Sequence, residues 1–312
     1  MDPISPTDLK SILFSKRANM YYLEHCRVLV NGGRVEYLTS SGKQSEYWNI
    51  PIANTTVLLL GTGTSITQAA VRELSKAGIP IGFCGGLGTP LYSATDFEAP
   101  VIWFQPQSEY RPTEYMRAWM DFWFDESRRL TVARYFQYKR LEMLKKCWTP
   151  KRVGENFIHC LEDFSRLHAM ASENVSAASS FEDLLLAEAR FSKSLYGLIA
   201  RATNYGEFER VKRGKGADRA NRFLDHGNYL AYGLAATALW ALGIPHGFAV
   251  MHGKTRRGGL VFDVADLIKD ATIMPEAFLA AARGDDEREF RENCINALTR
   301  TEALDFMMDT IK

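Results

Sequence analysis

The densest chemistry in the chain lies between His252 and Asp270, which reads His-Gly-Lys-Thr-Arg-Arg-Gly-Gly-Leu-Val-Phe-Asp-Val-Ala-Asp-Leu-Ile-Lys-Asp. An imidazole is followed by Lys254, Arg256 and Arg257, then by a Gly-Gly break and the carboxylates of Asp263, Asp266 and Asp270. A helix opening at Asp263 puts Asp263 and Asp266 on one edge, because residues three apart are neighbours on a helix surface. Two readings stand. In one, His252 and a carboxylate bind a cation beside basic residues suited to phosphate; mostly oxygen ligands with one imidazole favour Mg²⁺ or Mn²⁺ over zinc. In the other, Asp263 is a helix N-cap, Asp266 and Asp270 form a solvated edge, and His252 is a satisfied loop histidine.

A third ligand for the first reading comes from upstream. Ser179-Ser180-Phe-Glu-Asp183 has the form of a helix start with Ser180 as N-cap, and the helix runs to about Ala202. Its apolar stripe is Leu184, Phe191, Leu195, Leu198 and Ala202, and Glu188 falls inside it. A carboxylate on a core-facing stripe is costly unless a cation, a metal or a donor satisfies it. Glu188 is therefore the partner of a buried arginine, a ligand or an acid/base group. Lys212, Arg213 and Lys215 occupy a glycine-containing basic stretch, 211–222, of the kind that contacts phosphates without reading sequence.

Other motifs fail on spacing. Gly61-Thr-Gly63-Thr-Ser65 resembles a dinucleotide-binding turn, but the third glycine position holds Ile66; a turn with Thr64 or Ser65 as helix cap fits better. Gly247 and Gly253-Lys254-Thr255 suggest a P-loop but enclose one residue too many. Cys26, Cys84, Cys147, Cys160 and Cys294 are scattered, which argues for reduced thiols, a cytoplasmic protein and no zinc knuckle.

The elements that must position these residues fall into two regions. From Cys26 to about Trp103, short apolar or alternating runs read as strands: a hairpin at Asn31-Gly32-Gly33, then 47–53, 57–60 and 79–84. One helix, 65–77, interrupts them, with Gly78 as its stop. The composition changes at Gln105-Pro106-Gln-Ser-Glu-Tyr-Arg-Pro112, and almost everything after it has helical spacing. Residues 113–146 read as two helices or one long kinked helix, 150–180 as less regular, and 221–242 as an apolar helix. The tail from Pro275 reads as two more. The expected fold is α+β: a small β-rich, sandwich-like domain with one helix over 1–104, a linker at 105–112, and a larger all-α domain over 113–312.

The net charge of +1 over 312 residues hides local asymmetry. Residues 128–152 hold nine Lys or Arg against one acid, together with Tyr135, Phe136, Tyr138 and Trp148. That mixture suits a DNA-backbone surface or a solvated helix whose bases lay their stems on apolar neighbours. The tail 284–312 reverses to eight acids against four bases, a charge suited to docking a basic partner. The N-terminus lacks a signal pattern, and Tyr229 to Pro245 is too short for a membrane span, so no membrane association is expected.

These residues carry a family resemblance. Glu188-Ala-Arg-x-Ser-Lys193, the long 221–243 helix, Met251-His252 and Leu260-Val-Phe-Asp263-Val-Ala-Asp266 resemble the CRISPR-associated endonuclease and integrase of spacer acquisition, the first of the two universal adaptation proteins. Lys16-Arg-Ala-Asn-Met-Tyr-Tyr-Leu23 and Gly61-Thr-Gly-Thr-Ser-Ile-Thr67 are similar to its subtype I-F branch. The resemblance implies a strand-rich dimerisation region, a helical catalytic domain and a homodimer. It implies a metal held by Glu188, His252 and Asp266, with Asp263 as a supporting or second-metal residue. It also implies double-stranded and branched DNA as substrate, attacked by a 3′-hydroxyl without a covalent protein intermediate, in keeping with the lack of a Ser-His or Cys-His arrangement. The partner it implies is the second adaptation protein, fused in subtype I-F to the helicase-nuclease. Lys212, Arg213, Lys215, Lys254, Arg256 and Arg257 are the expected DNA contacts. The competing expectations are a non-enzymatic DNA-binding scaffold, in which the carboxylates serve as caps and ion pairs, and a nucleotide-dependent enzyme using the glycine turns.

Overall fold

The computed structural model describes residues 17, 19–41, 44–84, 102–104, 112–211, 218–253 and 258–312. The chain divides into two compact units, 1–111 and 112–312.

The described residues of the first unit form two four-stranded sheets. Strands β1 (Asn19–Leu23), β2 (Cys26–Asn31), β3 (Arg34–Ser41), β4 (Gln44–Asn49), β5 (Thr55–Leu60), β6 (Ser65–Ile66), β7 (Ile81–Phe83) and β8 (Ile102–Phe104) pair in the orders β1-β5-β7-β8 and β4-β3-β2-β6. The β2–β3 hairpin closes with Asn31 opposite Arg34, and both intervening glycines have positive φ, the conformation a two-residue hairpin turn requires. Every residue of β5 is buried, as expected for a strand with parallel neighbours on both sides. Helix α1 (Gln68–Lys76) adds Ala70 and Leu74 to a core shared with Val28, Val35, Leu58, Leu60 and Ile81 of both sheets. It opens later than its apolar spacing predicts. Ser65 and Ile66 are drawn into pairing with β2, and Thr67, not Thr64 or Ser65, caps the helix by accepting from the Ala70 amide.

The second unit is helical. Helices α2 (Glu114–Trp123) and α3 (Glu126–Cys147) resolve the expected long segment into two, with Asp125 capping the second. The stretch that reads as irregular in sequence is ordered: α4 (Pro150–Val153), a 3₁₀ turn at Glu155–Cys160 and α5 (Leu161–Ala177). Phe157 and Phe164 pack their rings on Trp148, and this aromatic cluster supplies an order that periodicity does not reveal. Helix α6 (Phe181–Ala202) starts at a Ser180–Asp183 capping box and buries the stripe of Leu184, Phe191, Leu195, Leu198 and Ala202. Helix α7 (Arg219–Ala241), capped by Asp218, is buried over most of its surface and packs along α8 (Gly259–Arg283). Among the described residues no helix is long and apolar enough to cross a membrane. Helices α9 (Glu287–Arg300) and α10 (Ala303–Ile311) complete the unit.

Helix α8 corrects two expectations. It opens at Gly259, four residues before Asp263, so Asp263 is an interior residue and not a cap. It also continues through Pro275, where the sequence predicts a new helix. Pro275 is buried with Met274, Ala277 and Phe278, and that packing outweighs the poor helix propensity of proline.

Candidate metal centre

Helices α3, α6 and α8 and the loop before α8 converge on a cleft of about 210 Å³, lined among others by Arg140, Glu188, His252, Asp266, Lys269 and Asp270. Glu188, His252 and Asp266 each direct one ligand atom into it, and these atoms lie within 4.8 Å of one another. His252 Nε2 is 3.9 Å from Glu188 Oε2, and its Nδ1 is 3.9 Å from Asp266 Oδ2.

His252 stands on a loop that is fixed from several sides. Asp263, whose side chain is 1% exposed, accepts from the amides of Val250, Met251 and His252 at 2.7, 3.2 and 3.2 Å. The same carboxylate accepts from His252 Nδ1 at 2.7 Å. A carboxylate can only accept, so Nδ1 carries a proton, and in the neutral imidazole Nε2 keeps its lone pair. The Trp123 indole donates to Ala249 O at 2.8 Å, and Gln137 Nε2 donates to Met251 Sδ at 3.1 Å. The Gly-Gly break has a separate use for each glycine. Gly258 is left-handed, with φ +64°. A Cβ on Gly259 would lie 2.7 Å from Ala249 Cβ and 3.0 Å from the His252 carbonyl, so only glycine lets α8 begin this close to the loop.

Glu188 is the partner of a buried arginine. Its Oε1 accepts from Arg140 Nη1 at 3.0 Å, while Oε2 faces the cleft. Burial pushes its carboxyl up and the Arg140 guanidinium opposes this; Asp266 adds to the rise, and the net direction is upward. Burial also raises the Asp266 carboxyl, but Lys269, His252 and Arg140 outweigh that and hold it below the usual carboxylate range. For His252, burial works downward. The Asp263 hydrogen bond and the charges of Asp266, Asp263 and Glu188 reverse it, and the net shift is above 6.5.

Asp263 therefore sits behind the imidazole rather than among the three converging ligand atoms. Asp270 is buried and accepts from Arg140 Nε at 2.7 Å, so it is not part of a solvated edge. Spacing does not single out Arg140 and Lys269. In the sequence Arg140 is one base in a block of nine, yet it lies on the buried face of α3 with Ala133, Phe136, Gln137 and Leu144. A cation in that stripe is the counterpart of Glu188 in its own. Lys269 pairs with Asp266 one turn along α8, and its ammonium is 5.2 Å from the Tyr232 ring centroid.

Several bases of the basic block are engaged within the fold. Arg128 pairs with Asp121, Arg134 donates to Ala178 O, Lys139 pairs with Glu142, and Arg129 stacks over Trp123 and Phe181. Phe136 and Trp148 are buried; Tyr135, Tyr138, Lys145, Lys146 and Lys151 are exposed. The six expected DNA contacts, Lys212, Arg213, Lys215, Lys254, Arg256 and Arg257, lie outside the described residues.

The glycine turns serve packing and loop geometry. A Cβ on Gly61 would meet Tyr22 Oη at 2.5 Å and one on Gly63 would meet His25 Nδ1 at 2.5 Å, so both glycines make room for side chains of the same unit. In 247–253, the amides of Val250, Met251 and His252 that would cradle a phosphate are occupied by Asp263.

The arrangement has known relatives. The structure aligns with a TtCas1–DNA complex (TM-score 0.66, 23% identity, 93% of this chain and 89% of that one). It also aligns with a casposase bound to integration product (TM-score 0.65, 14% identity, 89% and 83%). These likenesses define the fold. The family described as CRISPR associated protein Cas1 matches residues 24–284. The CRISPR-associated endonuclease Cas1 of Pseudomonas aeruginosa (strain UCBPP-PA14) is 63% identical over 315 residues, spanning 100% of this chain and 97% of that protein. The chain belongs to the Cas1 family of CRISPR-associated endonucleases.

Asp263 holds the loop through four hydrogen bonds of its own carboxylate. Asp263→Asn replaces one acceptor oxygen by an NH₂ facing amide donors, and is expected to destabilise the metal-free protein by about 1–3 kcal/mol. Urea denaturation in EDTA measures this. Unchanged stability would mean that Asp263 does not organise the loop.

Proposed function

We propose that this protein is a divalent-metal-dependent DNA endonuclease and integrase of CRISPR adaptation, of the subtype I-F kind, with Glu188, His252 and Asp266 as the ligands of Mg²⁺ or Mn²⁺. One observation carries the reading: two carboxylates and an imidazole on three separate chain segments, all shielded, with ligand atoms within 4.8 Å of one another. Donors across an octahedral ion of this size are separated by about 4 Å, given metal–oxygen distances of ~2.1 Å. The donor set, two oxygens and one imidazole nitrogen, suits a hard cation.

When bound, the ion supplies Lewis-acid polarisation of the phosphodiester and stabilises charge on the attacking and leaving oxygens. The chain's own groups prepare for this. Asp263 holds His252 in the tautomer that offers Nε2, as a hydrogen-bonded carboxylate behind a ligating histidine commonly does. Lys269 keeps Asp266 ionised in a buried position. The nucleophile is a DNA 3′-hydroxyl, or water in the endonuclease reaction, and no side chain is consumed.

Lys212, Arg213, Lys215, Lys254, Arg256 and Arg257 are proposed to hold the phosphate backbone of double-stranded and branched DNA, and Asp263 to serve catalysis through His252. The β-rich unit is the proposed homodimerisation domain, and the partner is the second adaptation protein, fused in subtype I-F to the helicase-nuclease. The five cysteines are unpaired and buried, which suits the reducing cytoplasm.

His252→Ala is expected to abolish Mn²⁺- or Mg²⁺-dependent strand transfer on labelled branched DNA, to the level seen with EDTA, while dimerisation and DNA binding persist. Full activity in this variant would remove the assignment, and product formation in EDTA would favour a metal-independent reaction.

Ion affinity should also depend on pH. A protonated imidazole cannot ligate, and His252 is held protonated to higher pH than an ordinary imidazole. Mn²⁺ affinity, measured by calorimetry across the neutral range, should rise with pH with its midpoint above 6.5. A midpoint below that value would contradict the charge balance of the cleft.

A further inference from the structure

Arg140 is engaged more completely than an isolated ion pair requires. The guanidinium, 4% exposed, donates from Nη1 to Glu188 Oε1 at 3.0 Å and to Gln137 Oε1 at 3.3 Å. Nε donates to Asp270 Oδ2 at 2.7 Å, and Nη2 donates to the same oxygen and to Ser192 Oγ at 2.9 Å. Phe191 covers it, with the ring centroid 5.7 Å away. Glu188 thus carries a cation on one oxygen and turns the other toward His252, 3.9 Å from Nε2.

In two-metal phosphoryl-transfer sites a carboxylate bridges ions about 3.5–4 Å apart. Here Glu188 Oε1 and Asp270 Oδ2 are held by one cation, in a place where two carboxylates could otherwise share a second ion. Between them lies a guanidinium. We propose that Arg140 is a built-in counter-cation that fills the second cation position between Glu188 and Asp270, and so positions Glu188 as a one-oxygen ligand of a single ion.

The charges agree with this. Glu188, Asp263, Asp266 and Asp270 bring four negative charges, Arg140 and Lys269 bring two positive ones, and His252 is neutral when ligating. Two negative charges remain, which one divalent ion neutralises; without Arg140 three would remain, more than one ion neutralises. A guanidinium suits the role better than an ammonium because it keeps its charge when buried and spans two carboxylates with one planar fork. Burial works against its charge, but Asp270, Glu188 and Asp266 outweigh that and hold its pKa above the ordinary value.

The inference rests on the reading of Glu188, His252 and Asp266 as a metal site, and its test separates the two. Bound Mn²⁺ is counted per full-length chain by electron paramagnetic resonance, with affinity from the same titration. The wild type should bind one ion. Arg140→Gln opens the Glu188–Asp270 position and should bind two at saturation. Arg140→Lys, which keeps the charge, should return the count to one. Where Arg140→Gln alone fails to fold, the double variant Arg140→Gln/Asp270→Asn removes the orphaned acid. It should bind one ion at least about ten-fold more weakly, because Glu188 has lost the group that orients it. Two ions in the wild type, or wild-type count and affinity in folded Arg140→Gln or in the double variant, would overturn the role of Arg140. No ion in the wild type would overturn the metal site itself, and this inference with it.

Discussion

The helical unit is organised around a buried salt bridge shared by three helices. Arg140 of α3 holds Glu188 of α6 and Asp270 of α8 in a place where an unpaired charge would be expensive. Removing one member of such a network typically costs about 3–5 kcal/mol, because the remaining charge stays buried without a partner. The network also fixes direction. With Oε1 of Glu188 taken from the α3 side, Oε2 can face only the cleft where His252 and Asp266 meet it. Replacing the three charges by well-packed apolar residues gives a fold of comparable stability but removes Glu188 from the cleft and leaves Asp266 as the only carboxylate of the proposed set.

A second constraint sets the imidazole. His252 lies on irregular backbone, which by itself positions a side chain poorly. The loop compensates by giving three successive amides to Asp263, an interior residue of the adjoining helix, which also takes Nδ1. Loop and helix can come this close because Gly259 has no side chain. Imidazole, tautomer and loop path thus depend on one carboxylate, and the same contacts keep the amides of Val250, Met251 and His252 from holding a phosphate.

Much of this is legible in the sequence. The α+β order, the Asn31-Gly32-Gly33 hairpin, the α6 stripe and Glu188 within it follow from local periodicity and turn chemistry, which depend on neighbouring residues alone. What escapes depends on tertiary contacts. Asp263 reads as a cap because a carboxylate before an apolar run usually is one; its partners lie eleven to thirteen residues back, on a loop that spacing cannot place. Pro275 reads as a boundary because local propensity ignores the packing on α8. The order in 150–177 comes from aromatic contacts with Trp148. Arg140 is hidden in a basic block, although its place on the buried stripe of α3 is as unusual as that of Glu188. Two opposite charges, each on the apolar face of its own helix, are a signal that they meet.

The proposed metal centre is tested most directly by anomalous diffraction from crystals soaked in Mn²⁺. One peak is expected, at about 2.1 Å from Glu188 Oε2, His252 Nε2 and an Asp266 oxygen, with Asp263 still bound to the amides of Val250 to His252 and Asp270 still bound to Arg140. A peak on Asp263 or Asp270, or none among the three proposed ligands at saturating Mn²⁺, would contradict it.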